Sequence, residues 1–250
     1  MRKYAIPVLA LAAVAAMMFV PPIHQSASYH NFADRRTILG VPNFWNVISN
    51  AAFLAAAAAG LGALRRRESF VSAWERRSAA LFIAAIAAVA LGSGYYHWNP
   101  TDATLFWDRL PMTVGFMALY ADVLGQSVLV LPLLAVGVGS VAWWQATGDL
   151  RWYALVQFFP ALTIPLALWL YGPRYRGAAG AFTGLFAGYF AAKLCESFDG
   201  AIGSVLATGG HPWKHVFAAA GVWWYLRWMA LRTPRADEST PRAASPAPSR

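Results

Sequence analysis

The sequence predicts an all-α, polytopic membrane protein, a transmembrane helix bundle of about eight helices. Three observations carry that prediction. First, 58% of the 250 residues are hydrophobic and only 12% are charged, about half the roughly 25% charge of soluble domains. So few charges cannot coat a water-facing surface of this size. Second, the apolar residues gather in eight stretches of near-membrane length. Third, the 12 Trp and 10 Tyr suit the aromatic belts found at membrane interfaces.

A helix needs about 20 mostly apolar residues to cross about 30 Å of hydrocarbon. The stretches that qualify are about 5–22, 46–64, 78–96, 110–124, 127–144, 152–171, 178–197 and 213–231. The first has a basic start (Arg2, Lys3) and is followed by a cleavable-looking Ser26-Ala27-Ser28. Its apolar run exceeds a typical signal-peptide core, so a retained helix is expected, with a removed signal as the alternative. The fourth and fifth run almost together from Leu110 to Trp144. One continuous helix there would reach about 52 Å at about 1.5 Å per residue, too long for one crossing. The break is placed at Gly125-Gln126-Ser127. Three segments follow: an N-terminal helix over 1–22, a seven-helix domain over 23–231, and a Pro/Ser/Ala/Arg-rich tail over 232–250 expected to be disordered and cytoplasmic.

Loop charges set an expected orientation. Alternating the helices puts Arg2, Lys3, Arg65, Arg66, Arg67, Arg76, Arg77, Arg174, Arg176, Arg232, Arg235, Arg242 and Arg250 on one side. Arg35, Arg36, Arg109 and Arg151 fall on the other. The first side is therefore expected to be cytoplasmic, with both termini inside. The Ala- and Arg-rich composition suggests a bacterial inner membrane. The net charge of +9 sits in short clusters between apolar stretches, with no basic face interleaved with stacking aromatics, which argues against nucleic acid. The single cysteine, Cys195, allows no internal disulfide. No repeat and no Gly-rich phosphate loop is present, and no protein partner is implied.

Ionisable groups within or at the edge of membrane helices are costly and usually functional. Here they share one predicted side, the extracytoplasmic one. Ser93 and His97 lie at the outer end of the third helix, and Asp108 opens the fourth. Lys193, Glu196 and Asp199 close the seventh, and His211 and His215 open the eighth. Asn43, Asn46 and Asn50 open the second.

His211 and His215 are spaced i, i+4, so both imidazoles face one way and can share a metal. With His97 they make three histidines and leave a fourth position open, the pattern of catalytic zinc. The histidine set disfavours calcium and magnesium, which take oxygen ligands. The plainer reading is a pair of interfacial histidines at a helix start. Asp108 either caps the fourth helix or acts as general base and acid on a metal-activated water. Ser93, four residues before His97, either donates to a developing oxyanion or bonds its own helix backbone. Lys193 and Glu196, at i, i+3, can pair. Asp199 can orient a ligand histidine through its other ring nitrogen, or these three form a polar helix end. His24 is read as surface.

Three blocks together resemble the alkaline ceramidase family, within the seven-helix membrane hydrolases that include the adiponectin and progestin receptors. They are Asn43-Phe44-Trp45-Asn46-Val47-Ile48-Ser49-Asn50, the run from Gly92-Ser93 through His97 to Asp108-Arg109-Leu110-Pro111-Met112, and His211-Pro212-Trp213-Lys214-His215. They span residues 43 to 215 in family order. The resemblance implies a seven-helix hydrolase core plus one extra N-terminal helix. It implies zinc on His97, His211 and His215, with Ser93 and Asp108 flanking the metal and its water. It also implies a calcium site near the start of the second helix. There the sequence departs from the family: Tyr29-His30-Asn31-Phe32-Ala33-Asp34-Arg35-Arg36 replaces an acidic segment, and Asn43 stands where an acidic residue is expected. Asp34 and Asn43 remain as oxygen ligands, and His30 belongs to the same polar segment.

The implied activity is zinc-dependent hydrolysis of the N-acyl bond of a ceramide-like membrane lipid, releasing a fatty acid and a long-chain amine. The alternatives are a related zinc hydrolase of another lipid ester or amide, and a receptor-like or transport protein with structural zinc.

Overall fold

The computed structural model describes residues 2–235. These contain ten α-helices and no β-strand: α1 (Ala5–Phe19), α2 (Phe44–Ile48), α3 (Ala51–Arg65), α4 (Ala73–Trp98), α5 (Asp102–Leu124), α6 (Val130–Thr147), α7 (Arg151–Tyr171), α8 (Ala178–Ser197), α9 (Asp199–Gly203) and α10 (His211–Leu231). The short α2 leads into α3, and Phe44–Arg65 act as one apolar unit. Counting that unit once and leaving out the single-turn α9, the eight expected helices are present.

Five units are long and apolar enough to cross a membrane: Phe44–Arg65, Ala73–Trp98, Ser127–Thr147, Arg151–Tyr171 and Ala178–Ser197. This is the construction of an integral membrane protein. α5 and α10 have the length, 23 and 21 residues, but carry the charged and imidazole side chains described below. α1 is apolar but has 15 residues, about 22 Å at about 1.5 Å per residue, short of the hydrocarbon thickness. It lies against α7 with most of its side chains exposed.

Three boundaries differ from expectation. α5 starts at Asp102 rather than near residue 110, because Thr101 and Thr104 form a reciprocal capping box. Asp108 therefore does not open the helix; it lies well inside it. α4 starts at Ala73 rather than near 78, and the Glu75 carboxylate accepts the Val71 N–H at 3.0 Å. The tail expected from residue 232 is pinned over its first four residues: Arg176 N–H donates to the Thr233 carbonyl and Arg235 N–H to that of Arg174. The remainder, 236–250, lies outside the described residues. The break between α5 and α6 falls where expected, with Gly125 at φ 67°, a conformation that glycine adopts without a Cβ clash.

The long helices after α1 close a ring. α3 packs on α4, α4 on α5, and α5 on both α6 and α7; α8 packs on α10, and α10 returns to α3. α7 and α8 touch only sparsely, which leaves a seam in the ring. Small residues bring the tight pairs together. A Cβ on Gly188 of α8 would lie 2.7 Å from the Gly221 Cα of α10. A Cβ on Gly92 of α4 would lie 2.0 Å from the Trp107 carbonyl of α5, so only glycine permits that approach, and Ser93 and Asp108 are the next residues of the two helices.

At the end of the bundle where α4 begins, buried charges pair with one another. Glu75 is fully buried and bonds both Arg174 and the Tyr175 hydroxyl. Arg232 donates from Nε to the Ser69 carbonyl at 2.9 Å, sits 3.8 Å from Asp122, and stacks 3.7 Å over the Tyr175 ring.

Candidate metal centre

The other end of the bundle holds His97, His211 and His215. α4 delivers His97 from its last turn, and α10 delivers the other two from its first two turns. All three are buried, and one ligand nitrogen from each lies within 4.8 Å of the others. The ring centroids are 4.8 to 5.1 Å apart.

Both ring nitrogens of His97, and Nε2 of His211 and of His215, are buried without a hydrogen-bond partner. Buried polar atoms are normally paired. Three orphaned imidazoles aimed at one another are the donor set a divalent metal satisfies, and the set fits zinc in composition and number. His215 Nδ1 is hydrogen-bonded to Ser49 Oγ at 2.8 Å, leaving Nε2 as its free ligand atom. Phe32 closes the cluster from the N-terminal segment, its ring centroid 4.7 Å from that of His97 and 4.6 Å from that of His211.

Asp108 and Ser93 stand beside this cluster. Both are buried. With His215 they line a cavity of about 430 Å³. The cavity continues along apolar walls from α4, α5, α7, α8 and α10, including Phe82, Met112, Phe116, Ile164 and Leu185.

Lys193 and Glu196 pair across one turn of α8, and Lys214 of α10 also bonds Glu196. Tyr29 OH donates to the same carboxylate at 3.3 Å. All four residues line the cavity. Asp199 lies beyond the end of α8 and supports the site through the backbone rather than a histidine ring. Its Oδ1 accepts the N–H groups of Gly210 and His211 at 2.8 and 2.9 Å, and its Oδ2 accepts that of Ala33 at 2.9 Å. It thereby satisfies free N–H groups at the start of α10, where the anion is also favoured by the helix dipole.

Asp34 and Asn43, the expected oxygen ligands for calcium, are engaged within the protein. Asp34 is buried, but its Oδ1 accepts from Arg36 Nε at 2.7 Å and its Oδ2 from the Trp45 N–H at 2.9 Å. Asn43 donates from Nδ2 to the His97 carbonyl at 2.9 Å. An arginine thus pairs with the one carboxylate of the segment, while Asn46 Oδ1 and Asn50 Oδ1 are buried without a partner. His30 bonds the Tyr96 hydroxyl at 2.9 Å and Asp102 at 3.2 Å.

Ser49, Lys214, Tyr29 and Arg109 were given no role by the sequence. Ser49 and Lys214 stand inside two of the motif blocks, and Lys214 lies three residues after His211, one helical turn away. Nothing in the sequence marks Tyr29, which reaches the cavity from a loop.

No family model matches the chain, and no curated protein matches its sequence. Fold and site together define a polytopic helical membrane protein with a buried three-histidine cluster able to hold a metal ion.

Proposed function

We propose that the protein is a zinc-dependent intramembrane amidase that hydrolyses the N-acyl bond of a ceramide-like lipid, as its resemblance to the alkaline ceramidases implies. One observation carries this reading: His215, one of the three histidines with unpartnered nitrogens, lines the same largely apolar cavity as Asp108 and Ser93. Zinc bound there supplies a water of lowered pKa and a Lewis acid for the amide carbonyl.

The chain's own groups do the rest. The cavity walls hold an acyl chain by apolar burial, and the sparse α7–α8 seam gives a lipid a lateral way in from the bilayer. Asp108 takes the proton of the attacking water and delivers it to the leaving nitrogen. Ser93 donates its hydroxyl to the oxygen on which charge develops. Ser49 holds the His215 ring in register. The products are a free fatty acid and a long-chain amine, which places the protein in lipid, and specifically sphingolipid-type, metabolism.

The test is elemental analysis of purified protein together with a panel of N-acyl and O-acyl lipids of matched chain length. Zinc near one per chain and release of fatty acid from the amides supports the proposal. Hydrolysis confined to the esters would move the protein to a different lipid hydrolase. Stoichiometric zinc with no hydrolysis of any panel lipid would leave a receptor-like protein with structural zinc.

A further inference from the structure

One cation on the cavity wall is without an ion-pair partner. Glu196 is held by two lysines, Lys193 and Lys214. On the adjoining rim, Asp149 is held by Arg151. Arg109 has no such partner. It is 5% exposed and lines the cavity. One terminal nitrogen donates to the Gln25 side-chain carbonyl at 2.5 Å, while NH1 is buried and makes no hydrogen bond. Among the described residues no carboxylate forms an ion pair with its guanidinium. Aromatic faces surround it instead: Cζ lies 4.1 Å from the Trp144 ring centroid, 4.7 Å from that of Tyr153 and 5.6 Å from that of Tyr29.

Ring faces stabilise a cation but do not neutralise it. A buried, uncompensated arginine within a membrane helix is expensive. The neighbouring Asp108 forms no ion pair with it. Successive helix residues point about 100° apart, so the two side chains leave α5 in different directions. A guanidinium with free N–H groups is suited to carboxylate or phosphate.

We infer that Arg109 is an anion-recognition residue, and that the lipid bound in this cavity carries an acidic group, a carboxylate or phosphate, which pairs with it. Calling that lipid a substrate rests on the amidase reading; the charge preference itself does not. The acidic group has two sources, the head group of an intact N-acyl lipid or the carboxylate of a released fatty acid. A neutral ceramide-type head group would satisfy the N–H and leave the charge uncompensated.

The experiment is equilibrium binding to the full-length protein in neutral nanodiscs, with the metal chelated so that nothing turns over. One pair of probes is N-palmitoylglycine and N-palmitoylethanolamine, which share chain and amide and differ in head-group charge. The second pair is palmitate and hexadecanol. Wild type should favour the acidic member by about 10–100-fold, the scale of a charge-assisted bond. The ratio should fall towards one in Arg109→Gln and lie between in Arg109→Lys, with retained zinc uptake checking the fold of each variant. Preference in the first pair assigns the site to the head group; preference in the second pair alone assigns it to the fatty acid. Ratios near one in wild type overturn the inference whether or not the variants fold, and so does a ratio that survives in Arg109→Gln. A protein with the charge preference that hydrolyses no lipid keeps this assignment and loses the amidase reading. One that hydrolyses neutral amides without the preference does the reverse.

Discussion

The two ends of the helix bundle both bury ionisable side chains, and they treat them differently. At the end where α4 begins, Glu75 meets Arg174 and Tyr175, and Asp122 meets Arg232. The polar groups there mostly satisfy one another, and stacked rings of Tyr175, Phe70 and Trp228 cover the arginine. At the other end, three histidines turn unpartnered nitrogens toward a common point, and Arg109 keeps an unpartnered N–H on a cavity wall. Internal pairing closes the first end and holds helices together. Arg232 also keeps one buried N–H without a partner, but beside Asp122; at the second end the orphaned histidine nitrogens lie together, and an unpaired buried polar group costs free energy that a ligand recovers.

The largest effect that would break this comparison comes from the histidines. His211→Ala/His215→Ala removes two of three ligands from α10 and should abolish zinc binding and hydrolysis together. Elemental analysis of the purified variant checks it. Full zinc retention would mean the cluster is not the metal site. Next is Asp108→Asn, which keeps the shape and removes the proton acceptor. Because Thr101 and not Asp108 caps α5, loss of a helix cap cannot explain a defect. Turnover of an N-acyl lipid should drop about 10²–10⁴-fold with zinc content unchanged, read from steady-state assays beside elemental analysis.

The opposite end should respond in stability and not in metal. Glu75→Gln removes the buried carboxylate that pairs with Arg174 and the Tyr175 hydroxyl. Breaking a fully buried pair typically costs about 3–5 kcal/mol; the effect here should be smaller, since about a quarter of the Arg174 side chain is exposed. Thermal unfolding in detergent should shift down while zinc stoichiometry holds. Ser49→Ala reverses that pattern. It frees His215 Nδ1 and should weaken zinc affinity or turnover by about 10–100-fold, with little change in unfolding temperature, measured by competition with a chelator.

The sequence made the fold legible because hydrophobic runs of membrane length are hard to mistake, and because the polar residues that interrupt them share one end. His211 and His215 were readable from helical spacing, and His97 joined them through the assumed alternation of helices. What stayed hidden depends on tertiary approach. Ser49 and Lys214 stood in plain view in the motif blocks, yet only the packing of the α2–α3 junction and of α8 against α10 gives them partners. The α5 start was misplaced because its first two turns carry charge, so hydropathy reads them as loop while the Thr101 capping box makes them helix. Asp34 looked like a cation ligand until Arg36, two residues on, proved to occupy its carboxylate.

The smallest effect concerns how the N-terminal segment is tied down beside the cavity. Asp149, between α6 and α7, accepts the backbone N–H of Ile23 at 3.3 Å and that of Arg151 at 3.0 Å, and pairs with the Arg151 guanidinium. Leu150 N–H donates to the Ile23 carbonyl at 2.8 Å, so this loop clamps the strand of chain that carries Gln25, Tyr29 and Phe32 to the cavity. The Arg151 side chain, then the two backbone N–H groups, hold the Asp149 carboxyl down to about 2 from its ordinary 3.8. A carboxyl with a depressed folded-state pKa contributes stability above its ordinary value and loses it as pH falls towards the folded-state value. The clamp should therefore be indifferent to pH between 5 and 8 on the general carboxylate scale and loosen only between about 4 and about 2. Hydrogen exchange at the Ile23 and Leu150 amides in acid-stable detergent measures it. Asp149→Asn should show the loosened exchange already at neutral pH and lose the acid dependence. Acid-dependent exchange that persists in Asp149→Asn would place the responsible group elsewhere in the segment, with Asp102 beside His30 the next to mutate.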